Sequence, residues 1–422
     1  MFIRTYRILL AVLLCAAAFV PLSPGLAHPA AAAPDDVPNP VATGLIEEWS
    51  VGAGLVYWGD NCFADEFNPY ANLYRKPSGG GTQRTLAAIS DGNCITFRNQ
   101  LAAADGLYYF SLSFSRIERM PLAEPFTPQA VKVLTGAQQP TTSRGFFDAG
   151  DYLYWPGSNN IFRTRKDGSG AVETVANTAS SANDVVVVGT TVYWSDSTGI
   201  WTTTTNCDTL PCTGSQQQFA SLGANGVSTG LLYQSLGGPL GNYRVYWVER
   251  TGTNPTYNYS IRYRACNQIT VCTIASPTTF YSATTNWFIG PPILAGGNVY
   301  WAESDINNGA NGDVKRRAYN ASAPGADTIA TGQSALDARV YATTDTLFFA
   351  RRGVGIYSLP LNAAAILRDF AADGLEVTQG IQNLANEAPL VAQKTTYVRV
   401  YARELSGPNA SNVEAWLAGT RN

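Results

Sequence analysis

The chain has 422 residues, with 28 Lys and Arg against 31 Asp and Glu, 11% aromatic and 14% charged residues, and one histidine. A slight acidic excess argues against nucleic-acid binding, which calls for a basic face or stripe. The lone His28 precedes the expected mature chain, so Ser-His-Asp and Cys-His catalysis and His-ligated zinc are disfavoured.

In chain order, residues 1–33 read as a secretory signal. Arg4 and Arg7 form its basic start, Ile8 to Val20 an apolar run too short to span a bilayer comfortably, and small residues from Ala27 to Ala33 a cleavage region. Residues 34–45 read as a linker. No later run is long and apolar enough for a membrane helix. The mature protein is therefore expected to be secreted, extracellular or periplasmic, with attachment at the cell surface an open alternative.

From residue 46 an aromatic pair recurs seven times at the end of Val/Leu-rich runs: Tyr57-Trp58, Tyr109-Phe110, Tyr154-Trp155, Tyr193-Trp194, Tyr246-Trp247, Tyr300-Trp301 and Phe348-Phe349. Repeats of this length are supersecondary units that must stack to bury their apolar faces. Each reads as four short strands. In the third copy Phe146-Phe147 ends the first strand, Tyr152 to Trp155 is the second, Asn160 to Arg165 alternates with period two, and Val172 to Val175 follows a turn at Asp167-Gly168. Four-stranded units repeated radially make a β-propeller. The expected fold is all-β, a propeller over residues 46–371 with seven blades favoured and six as the alternative. Ile46 to Val51 would open the first blade and Ala365 to Phe370 close the last, so the ends need not exchange strands, although exchange is also compatible with the pattern.

The copies YWGD, YFSL, YWPG, YWSD, YWVE, YWAE and FFAR resemble the YWTD repeats of low-density lipoprotein receptor propellers and their secreted bacterial relatives. An acid follows the pair only as Asp60, Asp196, Glu249 and Glu303. The resemblance implies recognition of a ligand or partner. Residues 372–422, with alternation from Tyr397 to Ala402, resemble the opening strands of bacterial immunoglobulin-like β-sandwich modules and are too few for a complete one.

Of the seven cysteines, Cys15 lies in the signal. Cys207 with Cys212, and Cys266 with Cys272, are spaced for disulfides across hairpins, leaving Cys62 to pair with Cys94. A metal site is the rival reading and lacks supporting His residues and CxxC spacing. Asp305 to Asp313 is rich in oxygen side chains but fails the helical calcium-loop pattern. Ser195 to Trp201 is similar to the Asp-box turn of sialidases with altered spacing. Sequons stand at Asn258, Asn320 and Asn409. No phosphate-cradling loop, dinucleotide fingerprint or other cofactor motif is present.

The segments entering successive blades carry short polar side chains: Asp91, Ser143, Asn183, Asp184, Asn225, Asn286 and Asp337. They are expected to ring one end of the channel, offering oxygen ligands to water, a cation or a polar ligand, or else to serve as ordinary turn residues. The function expected is a non-enzymatic binding or scaffolding propeller recognising a protein, peptide or glycan. The alternatives are an accessory to a catalytic domain beyond residue 422, and a glycan hydrolase or lyase with Asp184 and Asp337 as paired carboxylates.

Overall fold

The structure is a computed structural model. It describes residues 10–12, 38–43, 46–60, 71–89, 98–112, 114–141, 146–207, 210–212, 214–223, 226–237, 242–253, 256–266, 276–306, 312–322, 325–330, 339–351, 354–361, 369–378, 397–406 and 415–417. The chain divides into two units, residues 34–363 and a second comprising residues 1–33 with 364–422.

Among the described residues the larger unit holds seven antiparallel sheets. Blades one to six use consecutive strands. Blade one, for example, pairs Ile46–Gly52, Leu55–Asp60, Ala71–Pro77 and Arg84–Ile89 in that order. First strands of neighbouring blades touch one another, which places them innermost around the axis. The second-to-third and fourth-to-next connections therefore share one side, the upper rim, and the other connections share the lower rim.

The aromatic pairs are the mortar of the ring. Side chains alternate across a strand, so the two members of a pair serve different interfaces. Tyr154 packs with Trp194 of blade four, Tyr193 with Trp247 of blade five and Tyr246 with Trp301 of blade six. The first member reaches the next blade and the second the preceding one. Burying each ring is worth roughly 2–3 kcal/mol.

Blade two corrects the expected register. Tyr108 packs with Trp155 of blade three, while Tyr109 packs with Tyr57 of blade one. The equivalent pair is thus Tyr108-Tyr109, one residue earlier than Tyr109-Phe110. Three consecutive aromatic residues hide the frame in the sequence, and the alternation of faces reveals it.

The seventh blade corrects the expected closure. Its inner three strands are Val340–Ala342, Thr346–Arg351 and Gly355–Pro360, and its outer strand is Asn39–Thr43. Of the expected closing strand 365–370, the described Asp369 and Phe370 belong to Asp369–Thr378, which pairs with Tyr397–Ser406 in the other unit, and the rest lies outside the described residues. The ring is closed by strand exchange, with Asn39 opposite Ser358 and Thr43 opposite Gly355. Lys76 of blade one donates to the Val41 carbonyl at 3.0 Å. Pro40 is tolerated because the outer strand has a free edge. The chain leaves blade seven at Leu361, whose carbonyl accepts from the Tyr300 hydroxyl at 2.8 Å and from Arg316 Nη1 at 3.4 Å, both in blade six.

In the smaller unit, Leu10–Val12 also pairs antiparallel with Ala415–Leu417. The other strands expected of a sandwich there lie outside the described residues.

Cys207 and Cys212 are bonded to each other, between the third and fourth strands of blade four. Cys266 is also disulfide-bonded. Cys62, Cys94 and Cys272 lie outside the described residues.

Candidate functional site

The upper rim is built from the ends of inner strands and the connections above them. Of the ring expected from sequence, the structure describes Asn183, Asp184 and Asn286. Asp91, Ser143, Asn225 and Asp337 lie outside the described residues.

Asp184 opens the inner strand of blade four and is buried. Its Oδ1 accepts from its neighbour Val185 N at 2.9 Å and its Oδ2 from Leu231 N of blade five at 2.8 Å. Leu231 follows a bulge at Ser228/Gly230 and lies opposite Trp247 in the ladder. The carboxylate thus ties two inner strands. The Asn183 amide donates to the Ser195 carbonyl at 2.8 Å, extending the same strand by one pairing.

Asn286 sits above blade six with φ at 66°, a left-handed conformation that Asn tolerates. It exchanges two bonds with Tyr257: Oδ1 accepts from Tyr257 N at 2.8 Å and its own amide donates to the Tyr257 carbonyl at 2.7 Å. Its carbonyl accepts from Ile306 N at 2.9 Å. One residue therefore joins the blade-five hairpin, the connection into blade six and the blade-six hairpin. That hairpin of blade five, carried by Asn242–Thr253 and Thr256–Cys266, is the longest among the described strands.

Of the acids following the aromatic pairs, Asp196, Glu249 and Glu303 are buried. Glu249 accepts from Trp247 Nε1 at 3.4 Å and Arg262 Nη1 at 2.8 Å, and also from the Gly223 amide. Glu303 accepts from Trp301 Nε1 at 3.3 Å and the Tyr281 hydroxyl at 3.2 Å, with Lys315 Nζ at 3.1 Å. Burial lifts the Glu303 carboxyl above its ordinary value, against the pull of Lys315, Tyr281 and Trp301. Asp196 holds the turn similar to an Asp box: its Oδ1 accepts from Thr198 N at 2.8 Å, Thr198 Oγ1 at 2.6 Å, Gly199 N at 3.2 Å and Trp201 Nε1 at 3.2 Å.

Sequence reasoning missed two features. Arg339, just before the first strand of blade seven, meets Glu48 Oε2 in the first strand of blade one with its Nη1 at 2.7 Å, across almost the whole propeller sequence. No local pattern announces such a pair. The second is Phe114, in the upper hairpin of blade two: it is 51% exposed, with the Arg116 guanidinium 4.4 Å from its ring centre. An aromatic flanked by Ser and Arg in a short hairpin was the available signal. Among the described residues no group of three or more His, Cys, Asp and Glu is arranged to hold a metal.

No family model matches the chain, and no curated protein matches it. Solved structures do. The extracellular domain of the putative one component system BT4673 from B. thetaiotaomicron aligns with a TM-score of 0.51 at 11% identity, covering 79% of this chain and 41% of that one. A streptogramin B lyase structure aligns with a TM-score of 0.50 at 11% identity, covering 76% of this chain and 94% of that one. At such identities the likeness concerns the fold. The seven sheets, their closure and these neighbours define the chain as carrying a seven-bladed β-propeller.

Proposed function

We propose that this chain is a secreted, non-enzymatic binding propeller whose upper rim recognises a protein, peptide or glycan. The observation that carries the reading is topological. The closure strand starts at Asn39 opposite Ser358, and the last strand ends at Pro360, so both ends of the propeller unit attach at the lower rim. The upper rim is left to the blade connections, where loops positioned by a rigid scaffold carry recognition.

Further support comes from the carboxylates. Asp184, Asp196, Glu249 and Glu303 are each committed to bonds that hold blades or turns together. In this reading the ring of Asp91, Asn183, Asp184, Asn225, Asn286 and Asp337 frames the channel mouth and fixes the ligand-facing loops. The aromatic pairs count as a divergent YWTD-type repeat, and residues 372–422 as the start of an immunoglobulin-like module that places the propeller within a modular extracellular protein.

The test uses the full chain with a bulky polymer coupled to an introduced cysteine, at Thr253→Cys on the upper hairpin or Thr344→Cys on the lower rim. Capture of ligands from a panel of extracellular proteins, peptides and glycans is measured. Loss of capture with the upper modification alone is expected. Equal capture by both, or chemical conversion of a panel member, overturns the reading.

A further inference from the structure

The interface between blades five and six carries two arginines at its lower end. Arg244 stands near the lower end of Asn242–Thr253 in blade five, and Arg317 near the lower end of Gly312–Ala318 in blade six. Arg317 lies opposite Val299, which packs with Tyr246 and Phe280 in the core shared by the two blades. The Arg244 guanidinium is 4.6 Å from the ring centre of Tyr263, and that of Arg317 is 4.5 Å from the ring centre of Phe280. Those two rings meet edge to face. Both arginines also hold one turn: Arg244 Nη1 donates to the Tyr319 carbonyl, and Arg317 Nη2 to the Ala321 carbonyl at 3.0 Å. The pair is therefore a single cluster.

This cluster lacks countercharge. Arg317 is 8% exposed, and its Nε and Nη1 are buried with no hydrogen-bond partner among the described residues; the same is true of Arg244 Nε. Arg244 Nη1 also donates to the Tyr246 hydroxyl at 3.2 Å, and that hydroxyl donates to Gln234 Oε1 at 2.9 Å. Burial holds the Arg317 guanidinium below its ordinary value, and only the phenols of Tyr263 and Tyr246 pull the other way.

The sequence around the cluster supplies no acid either. Segments 231–248, 263–285, 292–302 and 317–326, which include the lower connections of both blades, contain no Asp or Glu. Asp327 follows them and pairs with Arg316 Nε at 3.2 Å, on the other face of the sheet from Arg317. On the interface itself, Glu303 and Asp313 lie opposite each other toward the upper rim and share Lys315 Nζ at 3.1 and 3.3 Å. They are four residues up the ladder from Val299 and Arg317, about 13 Å at strand spacing, and Asp305 is farther up still. At that separation salt screens much of their attraction.

A buried guanidinium without a negative partner is destabilising, and an anion that accepts its free N–H groups removes the penalty. A lone carboxylate is matched by the fork of one guanidinium. Two positive charges, with three nitrogens left over on two side chains, match a dianion whose oxygens point in several directions. We infer that Arg244 and Arg317 form a binding site for a sulfate or phosphate group. The anion enters where the cluster reaches the surface, at half-buried Arg244, Tyr263 and Tyr319 beside exposed Asn320. It meets the inner nitrogens when the turn at 319–321 gives way, a local movement open to a surface connection. The site belongs to the lower rim, apart from the face proposed above for the larger ligand.

The experiment is calorimetric and thermal titration of the full chain with sodium sulfate and sodium phosphate at fixed ionic strength. Acetate is the carboxylate control, and dextran sulfate against plain dextran tells a group carried on a polymer from the free ion. Saturable binding is expected below about 10 mM, with a rise in thermal midpoint that levels off as the site fills. The general stabilisation of proteins by sulfate does not level off there. Arg244→Gln and Arg317→Met should each weaken binding at least about tenfold. Arg317→Met should also keep the parent's midpoint in chloride buffer, because it replaces an unpaired buried charge by apolar surface. If that variant fails to fold, Arg244→Gln at the half-buried edge carries the test. The inference is overturned if neither anion saturates, free or on the polymer, if acetate binds as tightly, or if Arg244→Gln binds as the parent does.

Discussion

Gly355 lies so close to the closure strand that a Cβ added to it would overlap the Ala42 carbonyl oxygen. Its φ of 152° is also one that L side chains seldom adopt. Gly355→Ala should push the closure strand off blade seven and cost about 2–3 kcal/mol. Chemical denaturation checks the cost, and protease sensitivity near residues 38–45 checks the place. A variant as stable and as resistant as the parent would show that closure does not depend on this contact.

Asp184 joins the inner strands of blades four and five through the Leu231 amide. Replacing it by Ala leaves two buried amides without that acceptor, at a cost of about 1–3 kcal/mol. Asp184→Asn keeps an oxygen in place and should lose less. Hydrogen exchange at the Leu231 amide should accelerate in the Ala variant, and unchanged protection there would count against the tie.

Glu303 gives a pH dependence with a definite sign. Its carboxyl is raised above 4.5 by burial, so the folded state holds the proton more tightly than the unfolded one. Its contribution to stability is full below the unfolded value and is lost as pH rises through the folded value. Glu303→Gln removes that dependence. The stability of the parent relative to the Gln variant should therefore fall as pH climbs from about 4 upward, measured by urea unfolding across pH. A difference that is flat, or that grows with pH, contradicts the assignment.

Much of the propeller was legible because an aromatic pair of one chemistry recurs at the end of each Val/Leu-rich run, although the intervals vary from 39 to 54 residues. The frame in blade two was not, because Leu107-Tyr108-Tyr109-Phe110 matches the pattern in two registers and only the packing partners of Tyr108 and Tyr109 choose between them. The closure strand was illegible for another reason. Asn39–Thr43 carries no aromatic residue and has Pro40 inside it, and its partner Gly355–Pro360 is distant in sequence. At the site, sequence indicated short polar residues at blade entrances, but not that Asp184 and Asn286 spend their oxygens on neighbouring backbone. Phe114 escaped notice because exposure is a property of the assembled rim.

The grip on Leu361 has a mechanical consequence. Its carbonyl is held by Tyr300 and Arg316 of blade six, one blade back from the strand it ends. Tension applied to the polypeptide beyond this point reaches blade six as well as the hydrogen bonds of Gly355–Pro360. The load is shared between two sheets, so pulling loads bonds in parallel instead of peeling one strand from its end. A propeller tethered this way can bear tension at this end without its last blade acting as a zip.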